Sequence, residues 1–175
     1  MGVLQVDHAT WMSEDLQIFD NEARKFFERE CVPHSEKWIK QQHVDRATWK
    51  KAGEAGLLCA STPEAYGGAG GTFAHEAVII DHLGKLGIDG WGITLHNAIV
   101  APYIIHCGTE EQRRRWLPRL ASGELVAAIA ARLQENLSSP RSATGLEVQV
   151  DDREGQDGLS TSESAVQADD EDRRE

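Results

Sequence analysis

The sequence predicts an all-α domain followed by an acidic tail, and three observations carry that class. Apolar residues recur every three or four positions through the first three quarters of the chain, helix-capping residues stand just before those runs, and no strand-like alternation competes with them. The eleven aromatic residues all fall at or before Trp116 and the three cysteines at or before Cys107, so core-forming material ends well before the chain does. Two segments follow from this, residues 1–131 as the helical domain and residues 132–175 as the tail.

Ser13 with Glu14 and Asp15 marks the first helix start, because a hydroxyl caps free amides and early carboxylates complement the helix dipole. Leu16, Phe19, Ala23, Phe26, Phe27 and Cys31 then form one apolar stripe, and Pro33 ends or redirects the helix. A short helix around Glu36 to Lys40 carries Trp38. Asp45 is the expected cap of the next helix, with Ala47, Trp49, Ala52 and Ala55 inward and Gly56 as its stop. Pro63-Glu64-Ala65-Tyr66-Gly67-Gly68 and Ala69-Gly70-Gly71 form a shaped loop.

Thr72 caps a helix in which Phe73, Ala77, Ile80 and Leu83 share a face, ending near Gly84 or Gly87. The stretch from Asp89 to Cys107 suits a helix buried on most sides, kinked at Pro102 and closed by Gly108. Thr109-Glu110-Glu111-Gln112 is a capping box that opens a helix burying Trp116, Leu117 and Leu120, with Gly123 at its end.

The tail from Arg132 to Glu175 holds twelve acidic residues and five arginines, which accounts for most of the chain's net charge of −11. So little apolar surface cannot offset the entropy of ordering, and the expectation is disorder. The charge balance argues against nucleic-acid binding. Cys31, Cys59 and Cys107, odd in number and without a CxxC pair, read as reduced buried thiols in a cytoplasmic protein. No basic-apolar leader and no run of about 20 apolar residues is present, so neither export nor a membrane span is expected. The seven histidines lack the H-x-x-x-H spacing, so no metal site is expected. Arg113, Arg114, Arg115 and Arg119 read as the solvated side of their helix, and the glycine loop lacks the pattern of a phosphate cradle.

The order of these elements resembles one family, the acyl-CoA dehydrogenases, in their N-terminal helical domain, an orthogonal bundle. The resemblance rests on Val32-Pro33 with Glu36, Trp49 with Ala55-Gly56-Leu57, Pro63 to Gly68, Leu95-His96, Gly108 to Gln112, Trp116-Leu117-Pro118 and Leu120 to Glu124. It implies α,β-dehydrogenation of an acyl-CoA thioester, in which a glutamate removes the α proton while the β hydrogen leaves as hydride to FAD. It also implies that Leu95, Ile99 and Tyr103 line the slot for the acyl chain, and that Thr94 and His96 stand near the thioester end. Glu64, Glu76, Asp81 and Glu110 are expected to be ordinary solvated carboxylates, since the family's base comes from another domain.

The resemblance stops where the flavin-binding domain would open with a T-E-P-x-x-G-S-D type motif. Ala131-Arg132-Leu133-Gln134-Glu135-Asn136 stands there instead, and the tail has the lysine-free, aromatic-free composition of GC-rich DNA read out of frame. The expectation is therefore a truncated or frameshifted family member with no catalytic or cofactor-binding residues of its own, no stoichiometric FAD, and self-association through the exposed domain-packing face. The alternative is a stand-alone helical module that binds a protein partner or an acyl chain.

Overall fold

The computed structural model describes residues 11–133 and 144–151, with side chains to residue 128. Seven α-helices build the bundle: α1 (Glu14–Phe26), α2 (Ser35–Gln41), α3 (Arg46–Glu54), α4 (Phe73–Leu86), α5 (Ile93–Leu95), α6 (Ala101–Cys107) and α7 (Glu110–Ala121). Three of the expected caps form as local chemistry requires. Ser13 Oγ accepts from the Leu16 amide at 3.3 Å, Thr72 Oγ1 from the Ala74 amide at 3.3 Å, and Thr109 Oγ1 from the Gln112 amide at 3.2 Å. Thr109 N–H is in turn received by Gln112 Oε1 at 2.8 Å, completing the box.

Asp45 departs from its expected role. Its carboxylate receives Lys37 Nζ at 2.7 Å, Gln41 Nε2 at 3.1 Å and Trp38 Nε1 at 3.2 Å, and makes no capping bond to α3. These donors from α2 hold its carboxyl at about 2, with Lys37 the largest influence.

Two prolines reshape the helices they interrupt. A π turn, Phe27–Cys31, follows α1 and leads into Val32–His34, a 3-10 turn containing Pro33. A second π turn, His96–Val100, joins α5 to α6 just before Pro102. A proline lacks an amide hydrogen and its ring collides with the carbonyl four residues back, here Arg29 and Ala98. Both carbonyls lie within a π turn, where the wider spacing relieves the collision. The expected kink at Pro102 is thus a π turn within one continuous helical path, 93–107, called the wall helix below.

The buried side of α4 is not the one that carries Phe73 and Ile80. Phe73 is 70% exposed and Ile80 38% exposed, while Glu76, Val78, Ile79, His82 and Leu83 are buried. Two polar residues occupy the inward face because each finds a partner there. His82 Nε2 lies 2.9 Å from Asp20 Oδ1 of α1, and Glu76 joins a network described below. Gly87, at φ +62°, ends the helix in the left-handed conformation that glycine tolerates.

The core has two parts. Phe26, Phe27, Trp38, Trp49 and Trp91 fill the first, with the Trp49 and Trp91 rings edge to face at 5.5 Å. Val100, Ile104, Trp116, Leu117, Leu120 and Leu125 fill the second, between the wall helix and α7. Beyond the bundle, β1 (Val126–Leu133) pairs antiparallel with β2 (Thr144–Asp151), Ala127 opposite Val150. The helical reading named no strand here, although Thr144–Asp151 alternates apolar and polar residues as a strand does. Residues 134–143 and 152–175 of the acidic segment lie outside the described residues.

Candidate functional site

The wall helix presents two unlike faces. His96, Asn97, Val100, Ala101 and Ile104 are buried. On the other side Leu95 and Tyr103 are half-buried and Ile99 is 49% exposed. These three recur at intervals of four; Ile99 is the exposed member, while Leu95 and Tyr103 pack against the second core and the Tyr103 hydroxyl is buried. Burial raises the Tyr103 phenol above its ordinary pKa, with Cys107 adding to the shift. Thr94, beside the stripe, is half-buried.

His96 is not at the outer face. Its Nδ1 lies 3.3 Å from the Ala127 amide nitrogen and its Nε2 3.2 Å from the Leu120 carbonyl oxygen. An amide can only donate and a carbonyl only accept, so Nδ1 accepts, Nε2 carries the proton, and the ring is neutral. Burial lowers its pKa to about 4 against the opposing pull of the Leu120 carbonyl, and Arg46 lowers it further. The expectation of a thioester contact at His96 is corrected accordingly, because both ring nitrogens are engaged inside the fold.

Asn97 and Glu76 form the polar centre that the sequence reading missed. Asn97 Oδ1 accepts from the Cys59 amide at 2.9 Å, and Asn97 Nδ2 donates to the Leu57 carbonyl at 2.7 Å and to Glu76 Oε2 at 3.0 Å. Glu76 Oε1 accepts from the Ser61 amide at 2.9 Å. Glu76 is therefore a buried structural carboxylate, not a solvated one. A visible signal existed in two consecutive polar residues, His96-Asn97, inside the apolar run from Trp91 to Ile105.

The remaining candidates lie on the surface. Glu64 is exposed, Asp81 pairs with Lys85 at 2.5 Å, and Glu110 pairs with Arg114 at 2.7 Å while accepting from the Tyr66 hydroxyl at 2.9 Å. Those contacts, Tyr66 first, hold the Glu110 carboxyl below its ordinary range. In the arginine cluster, Arg113 reaches Glu110 at 3.8 Å, Arg119 meets Glu124 at 3.3 Å and Arg115 lies 6.0 Å above the Trp116 ring. Among the described residues no group of three or more His, Cys, Asp or Glu side chains is placed to hold a metal ion, and no helix is long and apolar enough to cross a membrane.

The glycine-rich loop packs closely on neighbouring backbone. A Cβ at Gly68 would stand 2.2 Å from the Thr62 carbonyl oxygen, one at Gly71 2.7 Å from that of Ala60, and one at Gly67 3.0 Å from Pro118. These glycines allow the loop to pack on its own backbone and on α7.

Comparison with known proteins identifies the family. Residues 13–124 match the family model "Acyl-CoA dehydrogenase, N-terminal domain". The pig long-chain specific acyl-CoA dehydrogenase is 38% identical over 118 residues, which are 67% of this chain and 27% of that protein. A probable acyl-CoA dehydrogenase of Bacillus subtilis is 38% identical over 107 residues, 60% of this chain and 18% of that protein. The chain thus spans about a quarter of the length of the curated relatives it matches. Among solved structures, the acyl-CoA dehydrogenase of Geobacillus kaustophilus superposes with a TM-score of 0.65 at 36% identity, covering 81% of this chain and 40% of that one. The enzyme from Bacillus anthracis, solved in complex with FAD, gives 0.58 at 28% identity, with 79% and 26% covered. By its helical domain, its capping pattern and these relatives, the chain belongs to the acyl-CoA dehydrogenase family.

Proposed function

We propose that residues 13–124 serve as the N-terminal helical domain of a flavin-dependent acyl-CoA dehydrogenase, and that Leu95, Ile99 and Tyr103 form one wall of its acyl slot. One observation carries this reading, the row of Leu95 and Tyr103, half-buried, with the exposed Ile99 between them, on a helix whose inner side is polar-anchored. An apolar stripe left open beside a rigid anchor suits a flexible alkyl chain, which is recognised by burial and shape and not by directed bonds.

The chain by itself carries out no dehydrogenation in this reading. Ala131 to Asn136 stands where the family resemblance would put the flavin motif, and this supports the reading. The working compartment is the cytoplasm. Phe73 and Ile80 on α4 are exposed apolar surface, uncovered among the described residues, and support self-association of the purified protein.

The test is titration of the full chain with acyl-CoA thioesters of increasing chain length, palmitoyl-CoA first because the pig relative is named long-chain specific. Binding is expected to strengthen with chain length and to be abolished by Ile99→Asp, which alters only an exposed side chain. Equal binding by wild type and variant, or no dependence on chain length, would remove the acyl-wall assignment. An absorbance spectrum with one flavin per purified chain would refute the reading of the chain as unable to hold FAD.

A further inference from the structure

We propose that neutral His96 is a positioning residue that ties the wall helix, the end of α7 and the start of β1 into one body. Its consequence for acyl recognition rests on the proposed role of Leu95, Ile99 and Tyr103; the tie itself does not. Three chain segments meet at one imidazole. The ring sits in the π turn next to Leu95, its Nε2–H is directed at the Leu120 carbonyl 24 residues on, and its Nδ1 receives the Ala127 amide 31 residues on.

The chemistry of this position is narrow. It needs a donor and an acceptor on opposite edges of a rigid ring, and the neutral imidazole with its proton on Nε2 provides both. An aliphatic residue would leave the Ala127 amide buried without an acceptor. A lysine or a protonated histidine offers no acceptor at all. The Trp49 ring packs beside the imidazole at 5.2 Å between centroids, so ring orientation is set by packing as well as by the two bonds.

Burial keeps the ring neutral, and a nearby positive charge adds to it. From α3, Arg46 acts on His96 with like charge and donates its own Nη2 to the Glu124 carbonyl. Arg119 at the end of α7 is paired with the Glu124 carboxylate in the turn that leads to β1. The segment that joins the bundle to the strand is thus held from both sides, by Arg46 on the carbonyl of Glu124 and by His96 on the amide of Ala127. Any movement of β1 relative to the bundle must break the His96 bond, and that bond is one residue from the acyl-facing Leu95.

The experiment is nuclear magnetic resonance on the full chain labelled with nitrogen-15. The ring resonances of His96 are expected to report the Nε2–H tautomer at pH 7 and to remain those of a neutral ring at pH 5.5. The Ala127 amide is expected to exchange at least about tenfold more slowly in wild type than in His96→Leu. If that variant does not fold, wild type alone decides: the Ala127 amide shift must move together with the His96 ring shift during acidification. An Nδ1–H tautomer, protonation with the midpoint of a free histidine, or an Ala127 amide that ignores the ring would each overturn the proposal. None of these readouts involves an acyl thioester. Loss of acyl binding with the His96 signature intact would remove the acyl wall alone.

Discussion

Asn97 Nδ2 donates to Glu76 Oε2 across 3.0 Å inside the core, joining the wall helix to α4. The orientation of the Asn97 amide follows from its other partners, since the Cys59 amide can only donate to Oδ1 and the Leu57 carbonyl can only accept from Nδ2. One side chain therefore holds the 57–59 segment, the wall helix and α4 together.

Replacement of Asn97 by alanine is expected to cost about 3 kcal/mol, because it leaves the Cys59 amide, the Leu57 carbonyl and a Glu76 oxygen without their partner. Even the isosteric Glu76→Gln should cost roughly 1–2 kcal/mol, since its amide would face the Asn97 amide donor to donor or lose the Ser61 bond. Urea unfolding of both variants measures this, and a Glu76→Gln protein as stable as wild type would contradict the network.

Acid should weaken the fold in a defined window. His96 sits at about 4 in the folded chain against an ordinary 6.5, so the unfolded state takes up a proton first as pH falls. Its contribution is full above pH 6.5, declines between 6.5 and 4, and changes no further below. The loss from this residue is about 3 kcal/mol at ~1.4 kcal/mol per unit. Asp45 acts lower, its stabilisation present above 3.8 and lost as pH falls toward 2. Unfolding free energies at pH 7, 5.5 and 4.5 test the His96 window, which should vanish in a folded His96→Leu chain.

The cysteines should separate by reactivity. Cys31 and Cys59 are buried, with desolvation pushing both thiols up to about 12, whereas Cys107 is exposed. A thiol reagent such as Ellman's should consume one thiol per native chain and the other two after denaturation. Rapid reaction of a second thiol in the native protein would contradict the described packing.

Two glycines should respond in opposite directions to alanine. Gly84 lies in α4 with open space around a Cβ, so Gly84→Ala is expected to stabilise by roughly 0.5–1 kcal/mol through helix propensity. Gly68→Ala drives a Cβ into the Thr62 carbonyl and should destabilise by about 2 kcal/mol or more. Melting temperatures of the two variants distinguish the cases directly.

Much of the bundle was legible before any coordinates because its signals are local. Caps at Ser13, Thr72 and Thr109 involve bonds within three residues, and the sequence contains both ends of each. The inward face of α4 is not legible in the sequence, for the opposite reason. Phe73, Ala77 and Ile80 share a helical stripe, but a stripe alone does not say which side other elements will cover. Glu76 and His82 turn inward because Asn97 and Asp20, 21 and 62 residues away, offer partners.

The same distinction separates the site from its support. By itself the sequence determined the helical class, the helix starts at Ser13, Thr72 and Thr109, and the family resemblance that implies Leu95, Ile99 and Tyr103 as an acyl wall. Only the tertiary structure decided that His96 and Asn97 point inward, that each is satisfied by backbone from distant segments, and that Phe73 and Ile80 are exposed among the described residues. A buried polar group must be paired to be tolerated, and its partner is set by how the chain folds back on itself.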